Sequence, residues 1–344
     1  MRRFIEKLII LLLLVAVISF GINHLYMSHM VNHGTMGELR NDSSYIDDVP
    51  EHIQVCDVGN SHSYYAFNYQ PYEKDYVCYN FSLPSQSMSY NYRILQNYRE
   101  NISPNAVVLI GVSYTTFFGK SETEDPDFES LNKRYYHFLN RDLIKEYDFK
   151  TDVFVHYLPA LSTTVMDLVK TTIGINSSPD IWNRVTNKED AARHGLTRYD
   201  RHILANVGPD GKRVYNDEEI EATYDIIELC HEMNAIPVLV TTPYLAEYTQ
   251  PIIDKDPEFY KDFYGVIDEI KEETGVAYFD YAFDERFAGK YEWFLNSDHL
   301  NRDGASEFTR VVMDEVVIEE WGMSQKEFSE KTGFSQSSIS DWKR

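Results

Sequence analysis

Five short apolar runs limit what this chain can fold into. They are "HIQVCDVG" (52–59), "DYVCYNFS" (75–82), "NAVVLIGVSY" (105–114), "IPVLVTTPY" (236–244) and "VAYFDY" (276–281). Most of these runs are apolar at consecutive positions rather than at every second one, as expected of strands buried on both faces of a parallel sheet. Segments with helical spacing follow. Residues 86–100 carry Met88, Tyr92, Leu95 and Tyr98 on one face, and 217–234 carry Ile220, Tyr224, Ile227 and Cys230. Residues 257–274 place Pro257 where a first helical turn accepts it, and 302–321 form a last helix. Strand–helix alternation at this spacing predicts an α/β fold: a mostly parallel five-stranded sheet with helices on both faces. In such sheets functional side chains gather at the carboxyl ends of the strands. Ser61, Ser82 and Ser113 each fall at or just past such an end and are expected on one rim.

Residues 1–27 form a different kind of segment. Arg2, Arg3 and Lys7 precede "LIILLLLVAVISFGI" (8–22), extended by Leu25, Tyr26 and Met27. The run is near the lower limit for crossing about 30 Å of hydrocarbon at about 1.5 Å per residue. The flanking cations place the N-terminus in the cytoplasm and the rest of the chain outside. A cleaved signal, with Ser19 and Gly21 at small-residue spacing, is the rival, which would leave a secreted protein. The absence of a clear polar cleavage region favours an uncleaved single-pass anchor in the cell membrane. Residues 28–51 read as a polar stalk and 52–321 as the α/β domain.

Within that domain, 115–216 break the alternation. This Tyr-, Phe- and His-rich interval reads as a cap inserted over the strand ends, with helices near 131–147 and 159–173. A packing elaboration is the plainer alternative. The tail 322–344 has Gly333 at a turn and Ser335 to Trp342 as a second helix, like part of a helix-turn-helix. It lacks a first helix, and reads as an amphipathic extension.

Composition removes some classes of function. With 43% apolar and 14% aromatic residues the chain is built to bury a core. A formal charge of −23 repels polyphosphates, so no nucleic-acid partner is expected. Cys56, Cys78 and Cys230 show no metal-ligand spacing, and no metal or cofactor is expected.

The chemistry concentrates in two places, "VGNSH" (58–62) and "FLNSDHLNRDGASEF" (294–308). A serine hydroxyl needs a base within hydrogen-bond reach, and donors aimed at the developing oxyanion. Ser61, leaving its strand through Gly59, is the candidate nucleophile, its own N–H one candidate donor, and His299 the candidate base. Each motif alone is ordinary turn chemistry. In this order and strand context, the chain resembles the SGNH (GDSL-like) hydrolase superfamily over roughly 52–320. It is most similar to the membrane-anchored bacterial branch that includes the lipoteichoic acid D-alanylation accessory protein and polysaccharide O-acyltransferases.

The resemblance implies a three-layer α/β/α, flavodoxin-like fold, with Ser61 as nucleophile and His299 as base. The family's oxyanion glycine falls at Ser82 and its oxyanion asparagine at Ser113. Its third triad member, an Asp three residues before the His, falls at Asn296. An Asn can orient an imidazole but brings no charge. Asp298, next to His299, would need an unusual backbone to reach the same nitrogen.

Two functions are therefore weighed. One is an extracytoplasmic esterase or O-acyltransferase acting through acyl-Ser61, on a cell-wall or extracellular polysaccharide. The other is a non-catalytic accessory protein of the same fold, partnering a membrane-bound acyltransferase. A sugar-binding or receptor role is a lesser third.

Overall fold

The sheet runs in the order β2-β1-β3-β4-β5 and every neighbouring pair is parallel. In this computed structural model, residues 2–32, 46, 49–157 and 185–320 are described. The expected helix at 159–173 and the tail 322–344 lie outside them, as does most of the expected stalk. The strands are β1 (Ile53–Val58), β2 (Cys78–Asn80), β3 (Ile102–Gly111), β4 (Ile236–Thr241) and β5 (Ala277–Asp280). All five expected strands are present, four of them shorter than expected and β3 shifted to start three residues earlier, at Ile102, and the fold is α/β with a five-stranded, all-parallel sheet flanked by helices.

The helices are α1 (Arg2–Asn32), α2 (Ser61–Ala66), α3 (Met88–Asn97), α4 (Phe128–Asn132), α5 (Phe149–Tyr157), α6 (Lys188–Arg198), α7 (Asp217–Glu232), α8 (Ala246–Lys255), α9 (Glu258–Thr274) and α10 (Arg302–Val312). Several start where a side chain accepts an otherwise unmet backbone N–H: Ser87 for α3, Asn187 for α6, Asn216 for α7 and Asn301 for α10. The final expected helix continues past α10 as a π-helical stretch, Met313–Glu320.

Two compact units divide the chain: Met1–Asp47 with Pro126–Ile181, and Asp48–Asp125 with Trp182–Arg344. Of the expected insert, 126–181 fall in the first unit, while 115–125 and 182–216 fall with the sheet. The first unit contains α1, whose Arg3–His24 stretch of 22 residues is long and apolar enough to span a membrane, as a signal sequence also would be. One helix was expected over 131–147. The structure instead has α4, 3₁₀ turns at Lys133–His137 and Arg141–Leu143, and then α5. Tyr135 and Tyr136, in the first of these 3₁₀ turns, are both buried.

In the sheet unit the strand faces alternate. Val55, Val107, Leu109, Val238 and Val240 form one core with Phe308, Val311 and Val312 of α10. Cys56, Val108, Ile110 and Leu239 point the other way and are equally buried. All of β1 is buried, with Gln54 and Asp57 as its polar members. Gln54 accepts from the Val77 N–H (2.8 Å) and Asp57 from the Ser82 hydroxyl (2.5 Å), so neither is buried without a partner.

The strand order changes direction between β1 and β3, and a crevice is expected outside their carboxyl ends. Two glycines let these ends close up. A Cβ on Gly111 would lie 1.7 Å from Ser63 Oγ, and one on Gly59 would lie 2.3 Å from the same atom. Gly59 is where Ser61 leaves its strand, as expected. Its φ is not in the left-handed range, and the requirement is space for α2.

Gly111→Ala should therefore destabilise the sheet unit by about 1–3 kcal/mol through overpacking. Ser63→Ala removes the nearest atom and should recover much of that loss in the double variant, as read by urea unfolding. Additive losses would contradict the contact.

Candidate active site

Three loops following strands build the site, all within the sheet unit. The first follows β1. Asn60 caps α2, its Oδ1 accepting the His62 N–H at 3.0 Å, and Ser61 becomes the first helical residue. The second follows β5 and leads into α10. There Asn296 Oδ1 accepts the N–H groups of Asp298 (3.0 Å) and His299 (2.9 Å), folding 296–299 into a tight turn. The third carries Ser113 just past β3.

These turns bring Ser61 and His299 together across 238 residues of sequence, with His299 Nε2 2.9 Å from Ser61 Oγ. His299 Nδ1 lies 3.1 Å from Asn296 Oδ1. Because that oxygen already accepts two backbone N–H groups, it is an acceptor for the ring as well, and Nδ1 carries the proton. Nε2 is then the bare nitrogen, facing the serine hydroxyl. The ring is held in the tautomer that a base for Ser61 requires.

Asp298 also reaches this ring. Its Oδ1 lies 3.2 Å from His299 Nδ1, and the backbone this reach requires is the tight turn that Asn296 ties. Asp298 is 1% exposed, and three further groups face it. Arg198 Nε, at the end of α6, is 3.3 Å from Oδ1; His62 Nε2 is 3.3 Å and His202 Nδ1 3.8 Å from Oδ2. Burial opposes ionisation, yet His299, His62 and the permanently charged Arg198 hold this carboxyl well below the usual carboxylate range.

Sequence reasoning missed three of these participants. His62 stacks on His299 with ring centroids 4.5 Å apart and planes 14° from parallel. Its Nδ1 lies 3.1 Å from Asn60 Oδ1. Tyr65 meets His299 edge-on at 5.4 Å, and Tyr244 meets His62 edge-on at 5.6 Å. The serine–histidine adjacency in "GNSH" was visible, but nothing local linked it to Asp298. Arg198 and His202 come from the interval read as a cap. A Cβ on Gly195 would lie 1.8 Å from the Glu247 carbonyl oxygen, so α6 packs backbone-close on α8, which the sequence reading also missed.

The two expected oxyanion positions differ. Ser113 lies at the site, its Oγ accepting from Asn60 Nδ2 at 2.9 Å and lying 2.9 Å from Thr115 Oγ1. Ser82 is fully buried, its hydroxyl on Asp57 and its N–H donated to Asn80 Oδ1 at 2.9 Å. In this arrangement the Ser82 N–H is committed elsewhere.

Burial pushes His299 down to about 4; the Asp298 carboxylate opposes this and His62 adds to it. Burial likewise pushes His202 down to about 3. The ligand atoms of His62, Asp298 and His299 lie within 4.8 Å of one another, near enough for a metal ion. A proton on His299 Nδ1 and a guanidinium already on Asp298 make this donor set better suited to moving a proton than to holding a cation. No family model matches the chain, and no curated protein matches it.

Nitrogen-15 NMR of the histidines should show the Nδ1–H tautomer for His299 and a titration midpoint near 4. Asn296→Asp adds a carboxylate against the ring, favours the charged form, and should raise that midpoint by about one unit or more. An unchanged midpoint would contradict the Asn296–Nδ1 contact.

Proposed function

We propose that this protein is an SGNH-type serine esterase or O-acyltransferase that works through an acyl-Ser61 intermediate. The observation that supports it most is the 2.9 Å approach of His299 Nε2 to Ser61 Oγ, with Nδ1 held by Asn296. Ser61 Oγ attacks the ester carbonyl carbon as its proton passes to Nε2. The tetrahedral intermediate collapses, the leaving alcohol takes the proton back from Nε2, and the acyl group remains on Ser61. An incoming hydroxyl or water then loses its proton to Nε2 and releases the acyl group, restoring the serine.

Asn296 fixes the ring, and Asp298 supplies the charge that stabilises the transient imidazolium, a division of labour between two adjacent side chains. Read as an anchor, α1 with Arg2, Arg3 and Lys7 at its start directs the catalytic unit outside the cytoplasm. The natural acceptor there is a hydroxyl-rich cell-envelope polysaccharide of a bacterium.

The committed Ser82 N–H favours a second reading, an accessory protein that keeps this fold beside a membrane-bound acyltransferase. Kinetics separate the two. Ser61→Ala should leave stability within about 0.5 kcal/mol and lower esterase turnover by several orders of magnitude. His299→Ala should be almost as damaging, and the double variant little worse than either. With His299 near 4, the base stays neutral as pH falls below its ordinary 6.5. The acid limb of kcat/KM should accordingly lie well below pH 6.5 and near 4. Full complementation of a null strain by Ser61→Ala would sink the enzyme reading and leave the accessory one.

A further inference from the structure

Acyl transfer at Ser61 needs donors for the oxyanion, and Ser82 does not offer its N–H to the site. A different group nearby is better placed. The carboxamide of Asn60, the residue preceding the nucleophile, is held at both ends. Its Oδ1 accepts the His62 N–H (3.0 Å) and lies 3.1 Å from His62 Nδ1; its Nδ2 donates to Ser113 Oγ at 2.9 Å.

The two contacts at Oδ1 fix which end is nitrogen, since a backbone N–H must meet an acceptor. A carboxamide nitrogen carries two hydrogens in a plane, and Ser113 takes one. Asn60 is half-buried, unlike the fully buried Ser82, and it directly precedes Ser61 at the start of α2. Ser113 is itself fixed from behind, its N–H donating to Thr116 Oγ1 at 2.9 Å and its Oγ lying 2.9 Å from Thr115 Oγ1. A donor locked before the reaction spends nothing on reorganisation as the oxyanion forms.

We propose that Asn60 Nδ2 is an oxyanion donor of this enzyme and that Ser113 is a positioning residue that aims it. This rests on the acyl-Ser61 reading. As the carbonyl carbon becomes tetrahedral, its oxygen gains the electron pair of the broken π bond and is met by the second Asn60 N–H. When the intermediate collapses, that pair re-forms the carbonyl and the hydrogen bond weakens. Asn60 is thus a catalytic residue that moves no proton.

The test uses the full chain in detergent micelles with p-nitrophenyl acetate. Asn60→Asp keeps the helix cap and the acceptor for His62, and replaces the donor with a charged acceptor. Asn60→Ser keeps a capping oxygen without adding charge. Both should lower kcat by about 10²- to 10³-fold, with KM within about threefold, and weaken binding of a tetrahedral boronate by a similar factor. The loss should appear on the plateau of the pH profile. A charge effect alone would instead move the acid limb of Asn60→Asp to higher pH and leave the plateau intact.

Ser113→Ala should cost part of this effect, and nothing further in the Asn60→Ser background. An active wild type whose two Asn60 variants keep their plateau kcat would overturn the assignment of Asn60 alone. A wild type that neither hydrolyses the ester nor takes a fluorophosphonate on Ser61 would overturn the acyl-serine reading, and this inference with it.

Discussion

Asp298 is a carboxylate buried at 1% exposure, and much of the architecture around the site answers to it. Moving a carboxylate out of water costs several kcal/mol even after relaxation, and the cost is met only where other charges surround it. The groups that face it come from distant parts of the sheet unit, and with burial holding His299 near 4 and His202 near 3, Arg198 supplies the charge present at neutral pH. His62 arrives from the first turn of α2, His299 from the turn before α10, and Arg198 and His202 from the end of α6 and the π-helical turn that follows it. Arg198 is the only one of these whose charge does not depend on pH. It reaches the carboxylate because α6 packs on α8 with Gly195 against the Glu247 carbonyl. A bulkier residue at 195 would withdraw the charge that the buried carboxylate depends on.

Around that carboxylate two asparagines do parallel work. Asn60 and Asn296 each use Oδ1 to accept a backbone N–H at the start of a turn, and each presents the same oxygen to a histidine Nδ1. For His299 this local backbone device sets a side-chain tautomer and leaves the bare nitrogen facing Ser61 Oγ. The His62 ring, placed by Asn60, stacks on that of His299. His299 consequently combines a fixed orientation with burial, and burial lowers its affinity for a proton.

The strands were legible because they are apolar on both faces, and only a sheet covered on both sides explains runs such as Val107 to Ile110. The placement of Ser61 on the rim followed from the same reasoning, since parallel strands put their carboxyl ends on one side, whereas its pairing with His299 rested on the two motifs and the resemblance they carry. What the sequence concealed depended on tertiary packing. The helix Ala246–Lys255 carries Pro251 in its interior and follows directly on a strand-like run, so its local signal was weak. His62 is an unremarkable polar neighbour until Tyr244 and Asp298 close around it. The reach of Asp298 to His299 Nδ1 was discounted from adjacency alone, and depends on the turn that Asn296 ties. Ser82 sits past a strand end as expected, but Asn80 and Asp57 have already claimed its hydrogen-bonding groups.

The central claim is that Ser61 carries the acyl group. The most direct measurement is acid quenching of the full-length protein during turnover of a p-nitrophenyl ester, followed by peptide mass mapping. The account predicts an acyl adduct on the peptide containing Ser61, sensitive to hydroxylamine and lost in His299→Ala. Turnover with no adduct there under any quench time, or an adduct on another residue, would contradict it.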